Sequence, residues 1–195
     1  MLKKVIGIVF SGLFVSLIVG LSAYAADNKF FPLKVGQEAV FNVRNNAGQT
    51  WQQTWKVSGM TVIPPTRIYY AIDILEDKPG KLRMSAGRST TTALFGYHGF
   101  GREVISLQNG PVGTTWTWTA DNGEIRVATI EAIETVTVPA GTYQGCLKVH
   151  KICTNCDEVT DWYEWVKPGF FLVKTVDYSE DDYAPLTYEL KSYTP

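Results

Sequence analysis

The chain has 195 residues, 45% of them hydrophobic, and a formal net charge of −1. Without its first 25 residues it keeps 16 basic and 19 acidic residues, and a mildly acidic domain with no basic stripe has no electrostatic reason to bind nucleic acid. The remaining 170 residues are enough for one domain with its own hydrophobic core.

Residues 1–25 have the three parts of a secretory signal peptide. Two lysines near the start precede a long apolar stretch, and Ala23-Tyr24-Ala25 fits the rule for cleavage sites. We therefore expect a mature domain of residues 26–195 that is periplasmic or secreted, where disulfides are permitted. In the alternative, the apolar stretch stays uncleaved as a membrane anchor and provides the chain's contact with a membrane.

Alternation of apolar and polar residues runs through most of the mature sequence and predicts β-strands. In QTWQQTWKV, Trp51 and Trp55 fall on one face. The stretch TTWTWTADNGEIRVATI is typical of a β-hairpin, because Trp116 and Trp118 alternate with threonines and a turn sequence follows. Residues 81–100, where the alternation is weakest, leave room for a short helix.

Turn signals recur at strand-length intervals and complete the prediction of fold class. We predict a single all-β domain in which one antiparallel sheet of about nine to eleven strands curls into a half-barrel or flattened barrel. These signals are Asn45-Asn46-Ala47-Gly48, Pro64-Pro65, Lys78-Pro79-Gly80, Asn109-Gly110-Pro111, Pro139-Ala140-Gly141 and Lys167-Pro168-Gly169.

The C-terminal third is predicted to form a meander of strands near 143–152, 159–166, 170–178 and 185–193. Alternate connections of a meander lie at opposite ends, so two of its loops share one rim with several carboxylates. Solvated turn charges explain this acidic rim better than calcium does, because the one-three-five ligand spacing of a calcium loop is missing. The carboxylates are Asp157, Glu158, Asp177, Glu180, Asp181 and Asp182.

The stretch KICTNCDE holds two of the three cysteines. A redox pair is disfavoured because no helix N-terminus precedes the motif and the following carboxylates oppose thiolate formation. Zinc is disfavoured because Cys146 and His150 lie about 13 Å apart along a strand, and Cys153 has the opposite parity. We predict a Cys153–Cys156 disulfide across the turn and a buried thiol at Cys146, with pairing of Cys146 to either cysteine still open.

No catalytic constellation stands out in the sequence. The chain has two histidines, of which His98 lies in the glycine-rich GYHGFG and His150 is expected on a sheet surface. The G-x-S-x-G, S-x-x-K and H-E-x-x-H motifs are absent, and no spacing singles out a pair of carboxylates. We therefore predict no catalytic residues, no metal and no cofactor, with a weak hydrolase that uses acidic residues as the enzymatic alternative.

The six tryptophans all fall in predicted strands. Either they fill the core, which is favoured, or they line an apolar or sugar-stacking cavity in the curled sheet. The four whose parity places them in pairs on common faces are the candidate ligand-binding residues, whereas Trp162 and Trp165 should point to opposite faces. These four candidates are Trp51, Trp55, Trp116 and Trp118.

Several segments together resemble a group of uncharacterised exported bacterial β-domain proteins. ETVTVPAGTYQGCLKV (134–149) and DWYEWVKPGFFLVK (161–174) match the group's VPAGTYxxCLKV and WYxPGxxLVK elements, and YELKSY matches its closing element. FPLKVGQEAVFNV (31–43) is similar to the opening PLxxGxxWxYxV, with Ala39 at the tryptophan position. Phe170-Phe171 departs from the common Val-Gly. The resemblance implies an exported, curved antiparallel sheet, loosely like the LolA/LolB lipoprotein-carrier half-barrel, and carries no catalytic residues.

These features together predict an exported non-enzymatic binding domain. We expect it to hold an apolar or amphipathic ligand, such as a lipid or other apolar small molecule, or a partner chain such as an envelope protein, in the concave face of its sheet. A structural or assembly subunit of the cell envelope is the alternative.

Overall fold

The computed structural model describes residues 30–63, 67–76, 82–90, 93–98, 102–120, 123–156, 161–178 and 185–195. The predicted signal segment, residues 1–25, lies outside the described residues. Within them, twelve β-strands and no helix are present, and therefore no helix is long and apolar enough to cross a membrane. The strands are β1 (Glu38–Arg44), β2 (Thr50–Ile63), β3 (Arg67–Glu76), β4 (Leu82–Ser89), β5 (Ala93–His98), β6 (Arg102–Gln108), β7 (Thr115–Thr119), β8 (Ile125–Val138), β9 (Gly141–Cys153), β10 (Asp161–Val166), β11 (Leu172–Asp177) and β12 (Leu186–Thr194).

The twelve described strands form one antiparallel sheet in the order β6-β5-β4-β3-β2-β1-β12-β11-β10-β9-β8-β7. Two meanders, β1 to β6 and β7 to β12, therefore join where the first strand pairs with the last. The predicted fold class is confirmed, with one strand more than the expected range. The room that the sequence leaves for a short helix within 81–100 is filled, among the described residues, by strands β4 and β5, which pair with each other.

Alternating side chains give strand β1 one buried face. Ala39, Phe41 and Val43 are buried, and the residues between them are partly exposed. The predicted hairpin is present as β7 and β8, and the predicted C-terminal meander is present as β9 to β12, in adjacent positions. Gly169 has a φ of 75°, which glycine adopts without strain and which suits the turn between β10 and β11.

The sheet curls until its two edge strands lie side by side, although it remains open. The indole Nε1 of Trp116 on β7 donates a hydrogen bond of 3.1 Å to the carbonyl oxygen of Ile105 on β6. The indole of Trp116 thereby satisfies a carbonyl group of edge strand β6, with which a further strand would otherwise pair. The curl gives the sheet a concave inner face that holds the core.

The segment before β1 crosses one end of the curled sheet. The backbone N–H of Phe30 donates to the carbonyl of Thr90 after β4, and the N–H of Gly169 donates to the carbonyl of Phe30. Phe30 and Phe31 are buried, and the ring of Phe31 lies 4.7 Å from that of Phe171. We call this closed region the apolar end of the concave face. Its members are Phe30, Phe31, Leu33, Phe41 and Phe171.

The turn that leads into β1 depends on a buried amide. The side chain of Gln37 accepts a hydrogen bond from the backbone N–H of Lys34 and donates to the carbonyl of Pro32, each at 3.0 Å. Its amide also bonds to the hydroxyl of Tyr193 on β12. A buried amide that satisfies several partners fixes the loop to the last strand, which keeps the phenylalanines of the apolar end in place.

A candidate binding cavity in the concave face

A cavity of about 290 Å³ opens in the concave face and is lined by residues of β1, β2, β3, β8 and β10 to β12. This volume is near the lower end of the range for small-molecule sites. Its aromatic and aliphatic lining consists of Phe41, Trp55, Ile74, Trp162, Leu172 and Tyr188. Its polar and charged lining consists of Gln53, Arg126, Glu164, Thr175 and Asp177.

Strand register determines which side chains reach the cavity. In β10, Trp162 is opposite Lys151 and Glu164 is opposite Val149, so the even-numbered side chains face inward. Trp165 therefore faces outward, and the prediction that Trp162 and Trp165 point to opposite faces agrees with this register.

The wall next to the apolar end is aromatic and internally satisfied. The ring of Trp55 lies 5.4 Å from Phe41 and meets Phe171 edge to face at 6.3 Å. Its indole Nε1 donates a hydrogen bond of 2.6 Å to the Oε1 of the buried Gln53. Because the polar atom of the indole has its own partner, the rest of the ring is available as an apolar surface.

The opposite side of the cavity contains a buried ion pair. The Nζ of Lys151, whose side chain is only 4% exposed, lies 2.7 Å from the Oε2 of Glu164. The other oxygen of Glu164 accepts a hydrogen bond of 3.3 Å from the indole of Trp162. The ammonium also lies 5.9 Å from the ring of Trp118 and 5.8 Å from that of Trp162. A buried charge is tolerated where it is paired and hydrogen-bonded in this way.

Arg126 completes the charged side and has few partners. Its guanidinium carbon lies 5.2 Å from the centre of the Trp162 ring, and its Nη2 forms an ion pair with Glu124. Its Nε is buried and has no hydrogen-bond partner among the described residues. We call these side chains the charged end of the concave face. Its members are Trp118, Arg126, Lys151, Trp162 and Glu164.

The four tryptophans that the sequence predicts as ligand-binding residues lie in different parts of the structure. Trp55 lines the cavity, and Trp118 packs against the ammonium of Lys151. Trp116 is buried in the core at the seam between the edge strands. Trp51 lies in a separate depression with Asn42, Thr50 and Gln52. Trp51 is the second residue of β2 and lies four residues before Trp55.

Sequence reasoning missed Arg126, Lys151, Trp162 and Glu164 as site residues. Parity along β10 was the available signal for two of them, because it places Glu164 on the same face as Trp162. The charged pair also needed the register of β9 against β10, which puts Lys151 opposite Trp162. Arg126 needed the register of β8 against β9, where it is opposite Cys153.

The structure joins Cys153 and Cys156 by a disulfide, with 5.7 Å between their Cα atoms, as the sequence predicts. The resulting tip holds the β7–β8 hairpin. The N–H of Thr154 donates to the carbonyl of Ile125, and the side chain of Asn155 accepts from the N–H of Ile125. The disulfide is thus tied to the residue that precedes Arg126.

The side chains weighed as zinc ligands, Cys146, His150 and Cys153, do not converge. Cys146 is fully buried in the core, and desolvation raises the pKa of its thiol above the ordinary 9.0. His150 lies on the convex face, where its Nδ1 is 2.8 Å from Glu131 and its Nε2 is 2.6 Å from Asp161. A carboxylate oxygen of Glu124 lies within 4.8 Å of the sulfurs of Cys153 and Cys156, but the disulfide leaves no thiolate to bind a metal.

Several predicted features fall outside the described part of the chain. The side chain of His98 is among them. Of the acidic rim, Asp177 is described and lines the cavity. The remaining rim carboxylates lie outside the described residues, and they are Asp157, Glu158, Glu180, Asp181 and Asp182.

No protein-family model and no curated protein matches this chain. Among solved structures it is similar to a "putative exported protein with YmcC-like fold" from Bacteroides fragilis NCTC 9343. The match has 16% identity and a TM-score of 0.52, and it covers 86% of this chain and 100% of the other. A "putative lipoprotein" from Parabacteroides distasonis ATCC 8503 matches with 16% identity, the same coverage and a TM-score of 0.47. At this identity the first likeness shows a similar fold and nothing more, and the relationship to LolA and LolB stays a prediction.

Proposed function

We propose that this protein is an exported binding domain that holds an amphipathic small molecule in the cavity of its concave face. The observation that carries the proposal is the polarity of the cavity, which has an aromatic, apolar side and a charged side. The expected ligand places its apolar part against Trp55 and Leu172 and its polar part toward Arg126.

The size of the cavity supports binding. Small-molecule sites are typically clefts of roughly 300–1,000 Å³ with a mostly apolar lining and a few polar groups. The cavity, of about 290 Å³, is close to this range and has such a lining.

The mixed lining supports an amphipathic ligand over a wholly apolar one. A wholly apolar ligand would strip water from Arg126 and Asp177 without offering a hydrogen bond, which is unfavourable. A wholly polar ligand would leave the surfaces of Ile74 and Leu172 without an apolar contact. A molecule with one apolar end and one polar end avoids both of these unfavourable arrangements.

Export is supported by the signal-like segment, residues 1–25, and by the disulfide of Cys153 and Cys156. The similar Bacteroides fragilis structure is also described as that of an exported protein. We infer a periplasmic or secreted location for the mature domain.

A neutral hydrophobic dye tests the proposal. Nile red should gain fluorescence with the wild-type mature domain, and Thr175→Trp, which places an indole inside the cavity, should abolish the gain. Thr117→Trp is the matched control, because Thr117 is an exposed threonine on β7 and its replacement should leave dye binding unchanged. Equal dye binding by wild type and Thr175→Trp, or no binding by wild type, would count against the proposal and favour the structural subunit.

A further inference from the structure

The polar side of the cavity indicates which head group its ligand carries. We infer, on the basis of the proposed function, that the ligand is an alkyl chain with a carboxylate head group and that the guanidinium of Arg126 binds this head group. The inference follows from the hydrogen-bond donors and acceptors at the charged end and from the orientation of Arg126.

Arg126 has more N–H donors than hydrogen-bond partners among the described residues. A guanidinium has five N–H donors, and among the described residues Arg126 hydrogen-bonds to Glu124 alone. The nearby carboxylate of Glu164 already accepts from Lys151 and from Trp162 through its two oxygens. Donors left without partners in a partly buried site are costly, so a ligand that brings acceptor oxygens is favoured.

The guanidinium is held in place before any ligand arrives. It lies over the ring of Trp162, whose indole is fixed by Glu164, and Glu164 is fixed in turn by Lys151. A planar guanidinium matches the two oxygens of a carboxylate in a bidentate contact. Because this chain of contacts restricts Arg126, little side-chain entropy remains to be lost on binding.

The charged side chains around the cavity, two cationic and three acidic, disfavour a head group with two negative charges. Arg126 and Lys151 are cationic, whereas Glu124, Glu164 and Asp177 are acidic. Lys151 neutralises Glu164, and a monoanion bound to Arg126 competes with Glu124 for the same guanidinium. A phosphate with a second charge would be repelled more strongly by Asp177, so a carboxylate is the better match.

Isothermal titration calorimetry with sodium decanoate and with 1-decanol separates the head group from the chain. We expect the wild-type mature domain to bind decanoate more tightly than decanol. Arg126→Gln should lower the affinity for decanoate by about 10- to 100-fold and leave the affinity for decanol nearly unchanged. Lys174→Gln is the matched control, because Lys174 is a cation of the convex face that is paired with Glu189.

Two further variants test the inference if Arg126→Gln does not fold, and one of them is expected to raise the affinity instead of lowering it. Glu124→Gln removes the competing carboxylate and should raise the affinity for decanoate several-fold, and Arg126→Lys should lower it less than Arg126→Gln does. Equal affinities for decanoate and decanol in the wild type, or no gain with Glu124→Gln, would overturn the carboxylate inference while the proposed function stands. Binding of neither molecule would overturn both.

Discussion

The apolar end of the concave face is buried more completely than the charged end, and the two ends are built from different interactions. At the apolar end, the ring of Phe171 lies 4.7 Å from Phe31 and 6.4 Å from Phe41, and the segment before β1 covers this cluster. At the charged end, Lys151 and Glu164 depend on each other and on two indoles. Dispersion and water exclusion therefore stabilise one end, and charge pairing permits the other to be buried at all.

This difference assigns separate roles to the two ends. The apolar end anchors the curl of the sheet, and of its members Phe41 also lines the cavity. The charged end retains Arg126 with unused donors and adjoins the cavity. Substitutions should therefore lower stability most at the apolar end and change ligand binding most at the charged end.

The largest expected effect is on stability, from Phe171→Ala. Phe171 is 2% exposed and contacts the rings of Phe31, Trp55 and Tyr193. Removing its ring should lower the free energy of unfolding by about 3 to 5 kcal/mol. Chemical denaturation measures this change. Phe170→Ala is the control, because Phe170 is only half-buried and should cost clearly less; equal losses would mean that the apolar end is not specially packed.

Breaking the ion pair of the charged end should have the next largest effect. Lys151→Met leaves Glu164 buried without a counter-charge, and we expect a loss of about 3 kcal/mol in the free energy of unfolding. Lys174→Met breaks the more exposed pair with Glu189 and should cost at most about 1 kcal/mol. Similar losses for the two variants in denaturant titrations would contradict the assignment of Lys151 and Glu164 as a buried pair.

A smaller effect is expected from the disulfide at the hairpin tip. The Cys153→Ser/Cys156→Ser double variant should lose about 2 kcal/mol or less, because the closed loop is short. Thermal unfolding of the wild type with and without a reductant should give the same shift as the double variant. A reductant that also shifts the melting of the double variant would show that the disulfide is not the source.

The smallest expected effect is a loss of stability in alkali. Desolvation raises the pKa of Cys146 above 9.0 and that of Tyr193 above 10.0. Folding therefore favours the protonated forms of the Cys146 thiol and the Tyr193 phenol. Their contribution to stability is complete below the pKa of the unfolded chain and is lost as the pH rises through the higher pKa of the folded protein. The free energy of unfolding should decrease from about pH 9 upward, and Cys146→Ala should remove the earliest part of that decrease. Constant stability between pH 8 and 10 would contradict the prediction.

The sequence predicted the fold better than the site because alternation is local and register is not. Trp116, Trp118 and the C-terminal meander follow from a period of two along the chain. The pairing of Lys151 with Glu164 depends on how β9 aligns with β10, and bulges in β8 after Ile130 and Glu134 shift its register. The alternation is weak along β4 and β5, and pairing with neighbouring strands rather than local propensity makes these segments strands.

Native mass spectrometry of the protein purified from its own exported fraction directly tests whether the cavity holds a ligand. We expect a polypeptide that begins at Ala26 and carries a small amphipathic molecule, and we expect Thr175→Trp purified in the same way to carry none. A wild-type domain that is free of ligand under conditions that preserve non-covalent complexes, with a spectrum matching that of Thr175→Trp, would contradict the proposed binding function.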